Sequence, residues 1–286
     1  MNELKRGFLG NDLIRMRSQN ACEPVFQTQS GGLLDSLKKT RLNRAIAESG
    51  HCGRRKADEL ILAGRVRVNG EKIMNPATHV GQEDQIDVDG HPLQRSVKLA
   101  YVMMNKPPQV ICSMRDPQGR PTVINLLPEK FKRLRLFPVG RLDYFSEGLL
   151  LLTNDGGLAN ALTHPSFSHE KLYEVLLRGQ VLPSQLEMLR KGMLLENKIK
   201  LRPIDVEAFP MKGGGARLLM SLRQGINRQI RRICAQFGWT VLKLKRLAEA
   251  SLELGELETG ACRELNPKEL AQLKELEKEG RARQKS

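Results

Sequence analysis

The chain has 286 residues, 40% of them hydrophobic, with 47 Lys and Arg against 32 Asp and Glu, a formal net charge of +15 and a pI of about 9.8. That length suits one or two domains with buried cores, and so basic a protein is expected to meet a polyanion, nucleic acid first. Apolar runs such as Leu149–Leu152 fall far short of the roughly 20 residues of a membrane helix, and Lys5 and Arg6 lead into a stretch with Gly, Asn and Asp instead of a secretory apolar core.

The five cysteines, Cys22, Cys52, Cys112, Cys234 and Cys262, are odd in number, widely spaced and free of Cys-x-x-Cys. Reduced thiols in a cytoplasm fit this better than a disulfide framework or a zinc site. Residues 1–40 are weakly periodic and read as a mostly disordered extension. A short helix over 11–17 would add Arg15 and Arg17 as phosphate contacts, against the simpler reading of a solvated tail.

Order is expected from Arg41, in a first domain over 41–97. Leu42, Ala45 and Ile46 share a helical face ended by Gly50, and a second helix over Arg54–Ala63 turns Ala57, Leu60 and Ile61 inward. Arg65–Asn69 alternates as a strand closed by the hairpin pair Asn69-Gly70, and Gln85–Val88 is another strand. From Arg41 to Lys72 there are eight Lys and Arg against four Asp and Glu; from Ile73 to Ser96 there are one against four. Arg54, Arg55 and Lys56 crowd a helix N-terminus, which the helix dipole disfavours. RNA phosphates would offset this, and together with Arg41, Arg65 and Arg67 these residues form a candidate RNA-binding face. A merely solvated charged face is the competing reading.

A second domain is expected over 98–275, with a basic tail over 276–286. Strands are expected at Leu99–Met104, Leu136–Val139, Gly148–Thr153, Lys171–Leu176, Lys198–Phe209, Ala216–Leu222 and Thr240–Leu254. Helices are expected at Asp155–Thr163, Ser184–Lys191 and Asn227–Phe237, with another starting at Asn266-Pro267. The predicted class is α+β: a small αα-plus-strands domain joined to a larger mixed, mainly antiparallel sheet with flanking helices.

Gly213-Gly-Gly215 lacks a following Gly-Lys-Ser/Thr, no His-Glu-x-x-His or Gly-x-Ser-x-Gly occurs, and the five histidines are scattered. Asp143 stands out, in the polar loop Gly140–Gly148 between two apolar strands. A carboxylate repels phosphates, so its place in a basic protein needs a reason. Paired with an arginine it would be a usable nucleophile or base, although a structural turn Asp is as compatible with the loop alone. Lys171, Tyr173 and Val175 share a strand face; a tyrosine there serves the core or stacks on a base. Arg228, Arg231 and Arg232 are helical neighbours over a buried stripe of Ile230, Ile233, Cys234 and Phe237, a solvated basic helix being the alternative.

Gly140-Arg-Leu-Asp143 with Ser146–Gly156, Lys171-Leu-Tyr173-Glu-Val175, Asn227–Arg232 and Asn105-Lys106-Pro107 together resemble the motifs of bacterial rRNA pseudouridine synthases of the RsuA-like group. Arg41–Arg44, Cys52–Asp58 and Gly64–Gly70 resemble the α-L RNA-binding module first named from a ribosomal protein. The resemblance spans roughly 41–275. Gly53 stands where the module usually has Ser, and Tyr144-Phe145 is more apolar than in many members.

The resemblance implies isomerisation of uridine to pseudouridine in rRNA, without cofactor or metal, by a cytoplasmic protein expected to be a monomer. Asp143 would attack ribose carbon 1′ or the uracil ring, Tyr173 would stack on the base and assist proton removal, and Arg231 would pair with Asp143. Ile230 and Leu244 would pad the base pocket, Arg141, Lys171 and Arg228 would bind substrate, and Lys106 would join the RNA-binding set. Large-subunit rRNA is the favoured target. A small-subunit target and a non-catalytic assembly factor stay open, while a DNA partner lacks groove-reading signatures.

Overall fold

The computed structural model of the chain describes residues 39–94, 97–164 and 167–283. The expected extension, with the helix over 11–17, lies outside the described residues except for its last two positions. Thr40 is already paired: β1 (Thr40–Arg41) runs antiparallel to β4 (His79–Val80).

Between these strands come α1 (Leu42–Glu48), α2 (Arg54–Leu62), β2 (Val66–Val68) and β3 (Glu71–Ile73). After β4 follow β5 (Ile86–Val88) and β6 (His91–Pro92), and β3-β2-β5-β6 form one sheet. Asn69 and Gly70 have φ of 51° and 84°, the paired positive values that a two-residue hairpin turn needs. The helices and strands bury Leu42, Ile46, Ala57, Ile61, Val66, Ile86 and Val88 in one core.

The larger domain carries β7 (Tyr101–Lys106), α3 (Glu129–Lys132), β8 (Phe137–Val139), β9 (Glu147–Thr153), α4 (Gly156–Thr163), β10 (Lys171–Arg178) and α5 (Pro183–Lys191). Then come β11 (Leu194–Leu195), β12 (Ile199–Lys200), β13 (Asp205–Pro210), β14 (Ala216–Leu222), α6 (Gln229–Gln236), β15 (Thr240–Glu249), β16 (Leu252–Glu253), β17 (Cys262–Glu264) and α7 (Pro267–Arg283). A nine-stranded sheet runs β13-β14-β10-β15-β9-β7-β17, with β16 on β15 and β8 on β9. Every pairing in it is antiparallel except β15 with β9.

Several expectations shift. The predicted strand over Lys198–Phe209 is broken around Pro203, which lacks an N–H and restricts Arg202 before it. The strand over Thr240–Leu254 folds back at Ala250, whose φ is 53°. The helix expected from Asn227 starts only at Gln229, because Arg228 is left-handed at φ 52°. The basic tail expected over 276–286 is helical to Arg283. Asn266 and Glu269 form a reciprocal capping box, each backbone N–H lying 2.9 Å from the other's side chain. Buried Leu273 and the Lys274–Asp155 ion pair at 2.5 Å then bind this helix to α4 and its cap.

Candidate active site

One row across the sheet organises the site. Met220 on β14 faces Tyr173 on β10, Tyr173 faces Arg246 on β15, Arg246 faces Gly148 on β9, and Gly148 faces Lys106 on β7. The loop bearing Asp143 leads directly into β9 at this row. Gly148 lies at φ 107°, and a Cβ there would sit 2.2 Å from the Arg246 carbonyl oxygen. Only glycine lets the two parallel strands approach so closely at the foot of the loop.

The loop is held from beneath. The Ser146 N–H donates to the Asp143 carbonyl at 3.0 Å, closing a turn with Tyr144 and Phe145 at its tip, and the Gln109 N–H donates to Tyr144 O at 2.6 Å. The Leu142 N–H points at Cys112 Sγ, 3.3 Å away. Lys106 Nζ donates to the carbonyls of Pro107, Asp143 and Ser146 at 2.9, 3.3 and 2.7 Å. This corrects the expectation that Lys106 binds RNA: it has no exposed surface and instead fixes the backbone around Asp143.

Burial pushes the Lys106 ammonium down to about 8, with Cys112, Asp143 and Glu147 pulling the other way. The folded protein therefore sheds this proton before the unfolded chain does. Stability should rise with pH from about 8 towards the ordinary 10.5, and the cost of the buried charge is fully present below that window. Lys106→Met should remove this rise, as read by urea unfolding on either side of the window. It should also lower the turnover rate by about 10²-fold through a displaced Asp143. An unchanged rate would show that the loop does not depend on this lysine.

Above the loop stand Arg231 of α6 and Arg228 at its N-cap. Arg231 Nε lies 3.8 Å and Arg228 Nη1 3.9 Å from Asp143 Oδ2, and the carboxylate is 30% exposed, open to a ligand. Arg231 Nη2 also donates to Phe145 O at 3.1 Å and to Ser146 Oγ at 3.3 Å. Burial lowers the Arg231 pKa while Asp143 supports its charge. Left-handed backbone is unusual for a non-glycine residue, and here it carries Arg228 to the carboxylate.

Tyr173 bridges the two main cores of the large domain. Burial raises its pKa, and the neighbouring Arg246 guanidinium pulls the other way. Ile230 and Leu244 are buried in the core that Tyr173 packs against, Leu244 paired with Val175. Lys171 is turned to Glu249 at 3.8 Å and donates to His169 O, and burial lowers its pKa. Arg141 is exposed on the loop.

The small domain's Arg41, Arg54, Arg55, Lys56, Arg65 and Arg67 are all exposed. Arg65 is held by Asp89 in two bonds of 2.7 and 2.6 Å, Lys56 pairs with Glu59 at 2.8 Å and Arg67 donates to Gly70 O at 2.8 Å. Neither Arg54 nor Arg55 has an acidic neighbour in the first turn of α2.

Arg246 and Glu249 escaped the sequence reading. Arg246 is 2% exposed, with Nη2 3.0 Å from Glu249 Oε2 and Nε donating to Leu149 O at 2.8 Å. Burial opposes its charge, but Glu249 and Tyr173 together raise its pKa. The sign was its register: Leu244, Arg246 and Ala248 alternate along one face of β15, and that face is buried. Among the described residues, no group of three or more His, Cys, Asp and Glu side chains converges to hold a metal ion. No helix among them is long and apolar enough to cross a membrane.

Residues 100–236 match the RNA pseudouridylate synthase family and residues 40–86 the S4 domain family. An RNA pseudouridine synthase of Aquifex aeolicus is 39% identical over 83% of this chain and 94% of its own length. The ribosomal large subunit pseudouridine synthase B of Bacillus subtilis is 38% identical over 84% of this chain and 98% of its own. A crystal structure of a pseudouridylate synthase superposes with a TM-score of 0.59 at 30% identity, covering 82% of this chain and 99% of the other. The chain therefore belongs to the RNA pseudouridine synthases of the RsuA-like group, RNA-binding isomerases in which an S4 domain precedes the synthase fold.

Proposed function

We propose that this enzyme converts one uridine of large-subunit rRNA to pseudouridine, with Asp143 as nucleophile. The observation that carries the reading is a part-exposed carboxylate at the foot of the sheet with two arginines within 4 Å of it. An anion so placed in a basic protein favours covalent attack over simple RNA binding. The large-subunit target rests on similarity to the Bacillus subtilis protein of that name.

In the proposed reaction the target uridine is flipped out of its stack. Asp143 attacks ribose carbon 1′ or the uracil ring, the bond from carbon 1′ to N1 breaks, and the detached base turns. Carbon 5 then joins carbon 1′, the bond to Asp143 breaks and returns its electron pair to the carboxylate, carbon 5 loses its proton, and N1 gains one. Arg231 aims Asp143, and Arg228 and Arg141 take neighbouring phosphates. Tyr173 stacks on the uracil over a floor of Ile230 and Leu244, which keeps water from the detached base. Lys171 lines the same side. No cofactor takes part.

Arg41, Arg54, Arg55, Lys56, Arg65 and Arg67 dock the small domain, about 41–97, on the RNA backbone. The enzyme works as a monomer in the cytoplasm. Pseudouridine mapping in cells with and without the gene tests the reading. One large-subunit site should disappear. Loss of a site only in small-subunit rRNA or tRNA would overturn the substrate, and loss of none would overturn the activity on cellular RNA.

A further inference from the structure

Tyr144 and Phe145 occupy the two central positions of the turn closed by Ser146 and Asp143. Such positions favour Gly, Pro, Asn, Asp and Ser, so nothing in the turn itself calls for two aromatics. Their roles differ. Tyr144 is half-buried and meets the Phe145 ring edge to face, with centroids 4.9 Å apart at 77°. Phe145 is 60% exposed, and among the described residues it is the one aromatic side chain among the large exposed hydrophobics.

The ring is also presented rigidly. Its own carbonyl is bonded by Arg231, and the carbonyls of Asp143 and Ser146 are bonded by Lys106. Exposed Arg141 and Arg228 flank the loop. A fixed aromatic face among cations, two residues from the reacting carboxylate, has the chemistry that recognises a nucleobase on a phosphate backbone. Tyr173 lies packed between two cores, whereas Phe145 stands in solvent, so the two rings serve different bases.

We propose that Phe145 is a stacking wedge: its ring takes the face of a base next to the target and fills the gap that the flipped-out uridine leaves in the strand. Filling that gap offsets part of the cost of unstacking the target base. The inference rests on the family's reaction and not on which RNA carries the target.

The test is single-turnover release of tritium from bulk RNA labelled at uracil carbon 5, taken from cells lacking the gene. Phe145→Ala should slow release about tenfold or more, the scale of one lost base–aromatic stack. Phe145→Trp should stay within about threefold of wild type, and Phe145→Leu should resemble Ala, since apolar bulk without a ring cannot stack. All three should melt as wild type does, because the side chain is exposed. Wild-type release by the Ala variant, a Leu variant as good as Trp, or a Trp variant as poor as Ala would each overturn the wedge. Release from bulk RNA but not from large-subunit rRNA would count against the substrate proposed above and leave this comparison intact. A silent wild-type enzyme would overturn both readings.

Discussion

Asp143→Asn should slow pseudouridine formation by roughly 10⁴-fold or more while leaving RNA binding at least as tight as in wild type. The rate loss follows from the proposed role of Asp143 as nucleophile, since removing one member of a catalytic unit costs about as much as removing several. The binding half is the sharper expectation. The carboxylate sits 3.8 and 3.9 Å from two arginines, Arg228 being one of the residues proposed to take phosphates. Neutralising it frees both cations for the backbone and removes a repulsion. Folding should change by less than about 0.5 kcal/mol, as the side chain is part-exposed and keeps its size. Tritium release and filter binding on the same preparation give both numbers. Activity near the wild-type rate would rule out the nucleophile, and weakened binding would mean the carboxylate orders the groove instead of taxing it.

Arg246→Leu should destabilise the fold by about 3–5 kcal/mol, the usual result of removing one partner of a buried pair. Arg246 is 2% and Glu249 6% exposed, so truncating the arginine strands a carboxylate away from water, with Lys171 3.8 Å from it. The Leu149 carbonyl loses its donor as well. Removing the second charge should relieve most of this, making the double variant Arg246→Leu, Glu249→Leu markedly more stable than the single one. Urea unfolding of wild type, single and double variants checks it. A single variant within about 1 kcal/mol of wild type, or a double variant no better than the single, would show that the pair is not the buried anchor described.

What the sequence revealed and concealed divides along physical lines. Asp143 was visible because a carboxylate in a basic chain is out of place, and because two apolar strands bracket its loop. The hairpin at Asn69-Gly70 was legible because positive φ restricts residue type sharply. Lys106 was misassigned because a lysine before two prolines looks like a surface cation, and nothing local announces three converging carbonyls from residues 107, 143 and 146. Arg246 was hidden for a related reason. Alternation along β15 marks its face as inward, but its acceptor on Leu149 lies 97 residues away in the chain. The helical end of α7 was missed because a charge-rich segment reads as solvated until Asp155 supplies a partner for Lys274.

The parallel contact of β9 with β15 bears on synthesis. The strand that follows Asp143 is flanked on one side by residues already made, 101–106, and on the other by β8 at its far end and by residues 245–246 at its Glu147–Gly148 end, a hundred positions later. A nascent chain that has reached α6 holds Asp143, Tyr173 and Arg231 in its covalent sequence but has no strand to cover the Glu147–Gly148 edge of β9. The edge closes only when β15 emerges, and β17 then covers β7. Such long-range closure is slow and comes late. The loop that carries Asp143 therefore gains its neighbour on β15 only after residues 245–246 have been made.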